Sequence, residues 1–365
     1  MLIFLLVAIP IALLTLLLLW SPGRIPPFMD NNGNPIAGSI SEKIVVNING
    51  VEQGMFLRSV NTDNPVLLFV HGGPGMPEYF LNEKYPVGLE SAFTVCWWEQ
   101  RGAGLSYSPD FSANDITVDQ LVADTIALTD YLAARFGQKM IFLMGHSWGT
   151  FIGIQAAART PEKYAAYIGV AQVSNQRQSE RLAYNYMREQ YQQTNDKKRC
   201  EQLEAYPITT ADTDMLLAYY ASLVRDDSMH HLGIGTTHTM KSLLTGIVLP
   251  LMQCRAYTLR EKIHIWRGKA FLGRSTNLRK EMLTTNLMEK VTRLGIPAYF
   301  VSGIYDYTVS YALSKQYLQK IEAPQKGFYT FYDSAHSPLF EEPERFMRVL
   351  TEDVLHGKID FADKE

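Results

Sequence analysis

Cysteine is scarce in this chain: three among 365 residues, Cys96, Cys200 and Cys254, an odd number spread far apart. No two have the spacing of a zinc knuckle or a redox pair, so they read as buried free thiols. Dense basic runs are also missing, with 34 Lys and Arg against 37 Asp and Glu and a net charge of −3. A nucleic-acid partner would need a clustered positive face, so none is expected. No internal repeat or low-complexity tract interrupts an ordinary globular composition, 47% hydrophobic and 19% charged. That length and composition suit one large α/β domain with an insertion.

Charge is absent altogether from the first 20 residues, where only Pro10 and Thr15 interrupt an apolar run that ends at Trp20. About 20 helical residues span roughly 30 Å, the thickness of a bilayer core. Residues 1–24 are therefore expected to be an uncleaved transmembrane helix, making the chain a single-pass membrane protein. The competing reading, a cleaved signal peptide, lacks a positive start and an Ala-x-Ala-like site. Arg24 is the only nearby cation and, with the unpaired cysteines, leans toward a cytoplasmic body; the side is left open.

A linker rich in Pro, Gly and Asn follows over 25–42. Strands are expected at 44–48 and 55–60, joined by an Asn49-Gly50 turn. Apolar runs at 66–70, 93–98 and 140–144 read as strands buried on both faces of a mostly parallel sheet. Between them, 117–136 has helical spacing, with Leu121, Thr125, Leu128 and Leu132 on one face, Thr117 as cap and Gly137 as stop. A strand at 166–170 closes the first part. From 174 to about 289 the chain turns polar and helix-prone, with 246–251 as its one strand-like run. Strand and helix then alternate again at 297–302, 310–321, 327–332 and 343–355. The expected organisation is a core over 43–173, a helical cap insertion over 174–290, and the rest of the core over 291–365.

The most informative stretch is Gly145-His146-Ser147-Trp148-Gly149, set between an apolar run and a helix-compatible segment. A nucleophile on a tight strand-to-helix turn needs small neighbours, because the backbone is strained and chains pass close by. A serine hydroxyl also needs a base, and the base needs an orienting acid. Asp306 and His336 follow in the order Ser, acid, His, each just past an expected strand, where open α/β sheets place their active groups. Asp333 is the rival acid. His230, His231 and His238 read as surface residues without metal-ligand spacing. For the oxyanion of a tetrahedral intermediate, His71-Gly72-Gly73-Pro74-Gly75 brings main-chain donors close, and the backbones of Gly73 and Trp148 are the candidates. That loop lacks the spacing and the lysine of a phosphate-binding loop.

Together with Glu99-Gln100-Arg101-Gly102, these motifs resemble the proline iminopeptidase branch of the α/β-hydrolases, over about 43–173 and 291–356. The resemblance implies an eight-stranded, mostly parallel sheet with helices on both faces and a helical cap. It implies release of N-terminal residues from small peptides by a serine hydrolase, with no metal and no organic cofactor. In that family the HGGPG loop supplies part of the oxyanion hole, and buried carboxylates hold the substrate's ammonium. Here Glu99 stands where the family has Asp, and the cap has one tryptophan, Trp266, without a Trp-x-x-Trp-Glu stretch. Glu201, Glu204 and Trp266 are the substrate-binding candidates, with Glu180 and Glu189 behind them; a solvated helix face is the other reading of each glutamate. The expected partner is a small molecule or short peptide, besides the membrane. A carboxylesterase of small or lipophilic esters remains open, as does a catalytically silent tethered binding protein.

Overall fold

Alternation of buried apolar runs with amphipathic segments builds a single eight-stranded sheet. A computed structural model describes residues 2–208 and 212–364. Met1 of the expected membrane segment, 209–211 of the expected cap and Glu365 lie outside the described residues. The strands are β1 (Ile40–Ile48), β2 (Val51–Ser59), β3 (Val66–Val70), β4 (Thr94–Trp98), β5 (Ile141–His146), β6 (Tyr164–Val170), β7 (Ala298–Gly303) and β8 (Lys326–Phe331). Their spatial order is β1-β2-β4-β3-β5-β6-β7-β8. β2 runs antiparallel to both its neighbours and every other pairing is parallel.

Central strands alternate their side chains between two cores. Leu68, Val70 and Leu143 pack with the helices Val118–Phe136 and Trp148–Arg159 on one face, while Leu67, Phe69 and Met144 pack with the C-terminal helices through Phe346 and Leu350 on the other. Burial on both sides is why these strands are continuous apolar runs. The β1–β2 hairpin turns on Asn49 and Gly50, both at positive φ, as a two-residue loop matched to strand twist requires. Thr117 caps the helix Val118–Phe136 through the Gln120 N–H, and Gly137 ends it in the left-handed region.

Between β6 and β7 the chain leaves the sheet and builds a helical layer with its own small core of Tyr184, Met187, Tyr191, Leu203 and Tyr219. The strand-like run at 246–251 is helical instead, a π-turn over Leu244–Val248 leading into the helix Leu249–Gln253. All three cysteines are free; Cys96 and Cys254 are buried and Cys200 is half-buried.

The N-terminal expectation needs correction. The helix is Leu2–Leu19, 18 residues, or about 27 Å at 1.5 Å per residue. Among the described residues no helix is long and apolar enough to cross a membrane. The physical reason is that residues 20–24 are drawn into the folded domain. Lys262 Nζ donates to the Trp20 carbonyl at 2.8 Å and to Ser21 Oγ at 2.9 Å. Pro22 then pairs with Thr258, and the Arg24 N–H donates to the Arg255 carbonyl.

Candidate active site

Ser147 sits between β5 and the helix Trp148–Arg159 with φ 54° and ψ −121°, a left-handed conformation that a serine adopts only under constraint. The constraint is close packing. A Cβ at Gly149 would lie 1.8 Å from the Val70 carbonyl oxygen, and one at Gly145 would lie 2.6 Å from that of Gly149. Glycine at both places lets the turn fold tightly enough to lift Ser147 clear of the sheet. Ser147 lines a cavity of about 330 Å³ together with Gly72, Gly73 and His336.

His336 follows β8, and its Nδ1 is 2.9 Å from Asp306 Oδ2. Asp306, past β7, is buried, and its second oxygen accepts the Val309 N–H at 2.9 Å. A carboxylate at Nδ1 makes that nitrogen the donor, which leaves Nε2 of His336 as an acceptor. Asp333 is exposed instead of buried against His336, and its N–H donates to Glu342 Oε2.

The loop after β3 lies against Ser147: a Cβ on Gly72 would come within 3.3 Å of Ser147 Cβ. Gly73, at φ 128°, has no room for a side chain, since a Cβ there would lie 2.4 Å from the Gly75 nitrogen. Gln100 ties this loop to the helix after Ser147. Its Nε2 donates to the His71 carbonyl at 2.7 Å, and its Oε1 accepts from the Trp148 indole at 3.0 Å. His71 accepts the Gln100 N–H at Nε2, and burial lowers its pKa to about 4, so it stays neutral.

Two residues that the sequence reading passed over complete the frame. Glu78 accepts the Gly72 N–H at 2.6 Å with one oxygen and meets His146 Nδ1 at 2.7 Å with the other. His146 Nε2 in turn lies 2.9 Å from the His336 carbonyl. Burial opposes charge on both, yet each more than offsets it for the other: the pKa of Glu78 is lowered and that of His146 raised. This ion pair thus joins the Gly72–Gly73 loop to the His336 loop. On the far side Glu341 accepts the Ala335 N–H at 2.9 Å and the His238 N–H at 2.6 Å. Burial pushes its carboxyl up to about 7.

Of the cap candidates, Trp266 lines the cavity, whereas Glu201 and Glu204 do not. Both lie exposed on the helix Lys197–Glu204, and Glu204 pairs with Arg188 at 3.5 Å. Glu189 is exposed as well. Glu180 is buried rather than solvated, because Arg225 pairs with it. His230 is also corrected from surface to buried; it lines the cavity and its Nε2 meets Thr236 Oγ1 at 3.0 Å. His238 is half-buried and stacks on Tyr305, while His231 is exposed. Among the described residues, no group of three or more His, Cys, Asp or Glu could hold a metal ion.

A family model described as alpha/beta hydrolase fold matches residues 65–343. A relative named probable aminopeptidase YbaC, from Bacillus subtilis (strain 168), is 31% identical over 329 residues, covering 88% of this chain and 99% of its own. Among solved structures, proline iminopeptidase from Mycobacterium smegmatis superposes with a TM-score of 0.61 at 17% identity, covering 87% of this chain and 98% of its own. A membrane phospholipase A superposes with a TM-score of 0.58 at 16% identity, covering 97% and 93%. Both structural likenesses speak for the fold alone.

Proposed function

Because the chain belongs to the alpha/beta hydrolase family, in its proline iminopeptidase-like branch, we propose that it is a serine hydrolase of small amides or esters. One observation carries the reading: a serine on a strained turn shares a cavity with a histidine whose other nitrogen is bonded to a buried aspartate. In this reading Ser147 Oγ attacks the substrate carbonyl carbon while His336 Nε2 takes its proton. The oxyanion is received by the N–H groups of Gly73 and Trp148. Collapse expels the amine or alcohol, which takes the proton from His336 and leaves Ser147 acylated. Water, deprotonated by His336, then attacks the acyl-enzyme, and His336 returns that proton to Ser147 Oγ as the acid leaves. The Glu78–His146 pair holds the two loops that carry these groups, and no cofactor enters any step.

The name of the Bacillus relative favours an aminopeptidase acting on small peptides. The test is to treat the protein with a fluorophosphonate and map the adduct by mass spectrometry. The adduct is expected on the peptide containing Ser147. A folded protein that stays unlabelled, or is labelled elsewhere, sinks the proposal. Turnover of alanine and proline anilides then marks an aminopeptidase, and turnover of short esters alone an esterase.

We further propose that the helix Leu2–Leu19 anchors the domain to a lipid surface. It carries no charged residue, and Ile9, Ile11, Leu14, Leu18 and Leu19 are exposed. Such apolar side chains gain by leaving water, and the clamp of Lys262 on residues 20 and 21 would hold the domain close to the bilayer. The full chain is expected to pellet with phosphatidylcholine vesicles, and a chain lacking residues 2–19 to stay in the supernatant. Equal partitioning of the two would refute the anchor.

A further inference from the structure

Charged groups on the cap side of the cavity are unevenly paired. Arg225 is buried and saturated: Nε and Nη2 donate to the two oxygens of Glu180 at 2.7 Å, and Nη1 to Asp226 Oδ1 at 2.8 Å. Glu180 also accepts from Gln176 Nε2 at 2.8 Å. Across the cavity, Glu78 is taken up by Gly72 and His146. Among the described residues that line or back the cavity, Glu180 and Glu78 are therefore taken up on both oxygens and Asp226 on one.

Two cations are left over. Lys269 and Arg279 both line the cavity, and among the described residues neither side chain makes an ion pair or a hydrogen bond. Each lies over a ring instead, Lys269 Nζ 5.7 Å from the Trp266 centroid and Arg279 Cζ 5.6 Å from that of Tyr220. Arg279 Nε is buried without any partner. Lys269 feels charge of both signs: burial lowers its pKa, the Asp226 carboxylate raises it, and the Arg279 guanidinium lowers it. Lys269 also sits directly over the oxyanion loop, since a Cβ on Gly75 would come within 3.3 Å of its Cα.

Unpaired cations in a pocket are costly until an anion arrives. A guanidinium beside an ammonium is well suited to a carboxylate, one as a planar fork and the other as a mobile point charge. We propose that Lys269 and Arg279 bind a carboxylate of the substrate, so that the enzyme acts on small amides or esters carrying a free acid group. The cavity, about 330 Å³, is at the small end for ligand sites and suits a substrate of dipeptide size. This inference deepens the serine-hydrolase reading and rests on it.

The test compares matched substrates differing only in the acid: Ala-Ala with its C-terminal amide, and 4-nitrophenyl succinate with its methyl ester. In the wild type, kcat/KM for the acid is expected to exceed that of its neutral partner at least tenfold in one pair, which also tells which side of the scissile bond carries the carboxylate. That ratio should fall about ten- to hundredfold in Lys269→Met and Arg279→Met, the size of a lost charge-assisted hydrogen bond, and recover partly in Arg279→Lys. The ratio cancels any general loss of active protein. Wild-type preference for the neutral member of both pairs, or a ratio unmoved by the substitutions, overturns the proposal. Calorimetric titration of the Ser147→Ala protein with succinate separates the two readings. Binding that Lys269→Met weakens, without turnover by the wild type, would discard the hydrolase and keep the carboxylate site. Turnover with no acid preference and no succinate binding would do the reverse.

Discussion

Ser147→Ala is expected to lower kcat by about a millionfold, and His336→Ala by as much, while the double variant loses no more than either alone. The reason is that attack and proton removal are one event. A hydroxyl without its base is a poor nucleophile, and a base without the hydroxyl has nothing to activate. Asp306→Asn should cost less, about ten-thousandfold near neutral pH. Asp306 Oδ2 accepts from His336 Nδ1 at 2.9 Å, and Oδ1 is fixed by the Val309 N–H. An asparagine that keeps its oxygen on Val309 turns its NH2 toward Nδ1 and so favours the tautomer with its proton on Nε2, the atom that must accept. Asp333→Asn serves as the control and should remain within a few-fold of wild type, because Asp333 is exposed and tied to Glu342. Steady-state kinetics on the best substrate of the ester and anilide panel measures all of these. More than about one percent activity in Ser147→Ala, or a larger loss in Asp333→Asn than in Asp306→Asn, would overturn the assignment.

What the sequence made legible divides along a physical line. Val66–Val70 could be read to the residue because a strand buried on both faces must be apolar throughout, and the two cores flanking β3 require that. The Asn49-Gly50 turn and the Ser147 elbow were legible because a positive φ or a close approach constrains residue type within a few positions. A six-residue apolar run does not announce its conformation by composition alone, even with Gly246 and Pro250 in it. Residues 246–251 read as a strand, yet they belong to a π-turn and a helix with Pro250 in its first turn. Pairing at long range was not legible at all. Glu180 and Arg225 are 45 positions apart, and Glu78 and His146 are 68 apart. Nothing local marks Glu180 as a buried partner rather than a solvated helix residue. Lys269 and Arg279 were passed over for the same reason: a basic residue on a cap helix reads as surface until the fold turns it onto a cavity.

Glu99 supplies the second large effect, this one on stability. Its Oε1 accepts from the Tyr257 hydroxyl at 2.5 Å and its Oε2 from the Leu105 N–H at 2.6 Å. The longer arm of glutamate, where the resembled family has aspartate, thus links the core to Tyr257 of the cap. Burial pushes its carboxyl up to about 8, against the lowering effect of those two bonds. The folded protein therefore keeps the proton that the unfolded chain releases above about pH 4.3. With more protons bound in the native state, stability falls as pH rises between those values, and levels off above the folded pKa. The total over that window is on the order of 3–5 kcal/mol. Glu99→Gln should remove this loss. A glutamine can keep its oxygen on the Leu105 N–H and give its NH2 to the Tyr257 oxygen, once that hydroxyl turns from donor to acceptor. Urea unfolding is expected to show little difference between variant and wild type at pH 4.5, and a variant more stable by several kcal/mol at pH 8.5. A stability gap of equal size at both pH values would mean that Glu99 is ionised in the fold and that its neutral state does not hold the cap to the core.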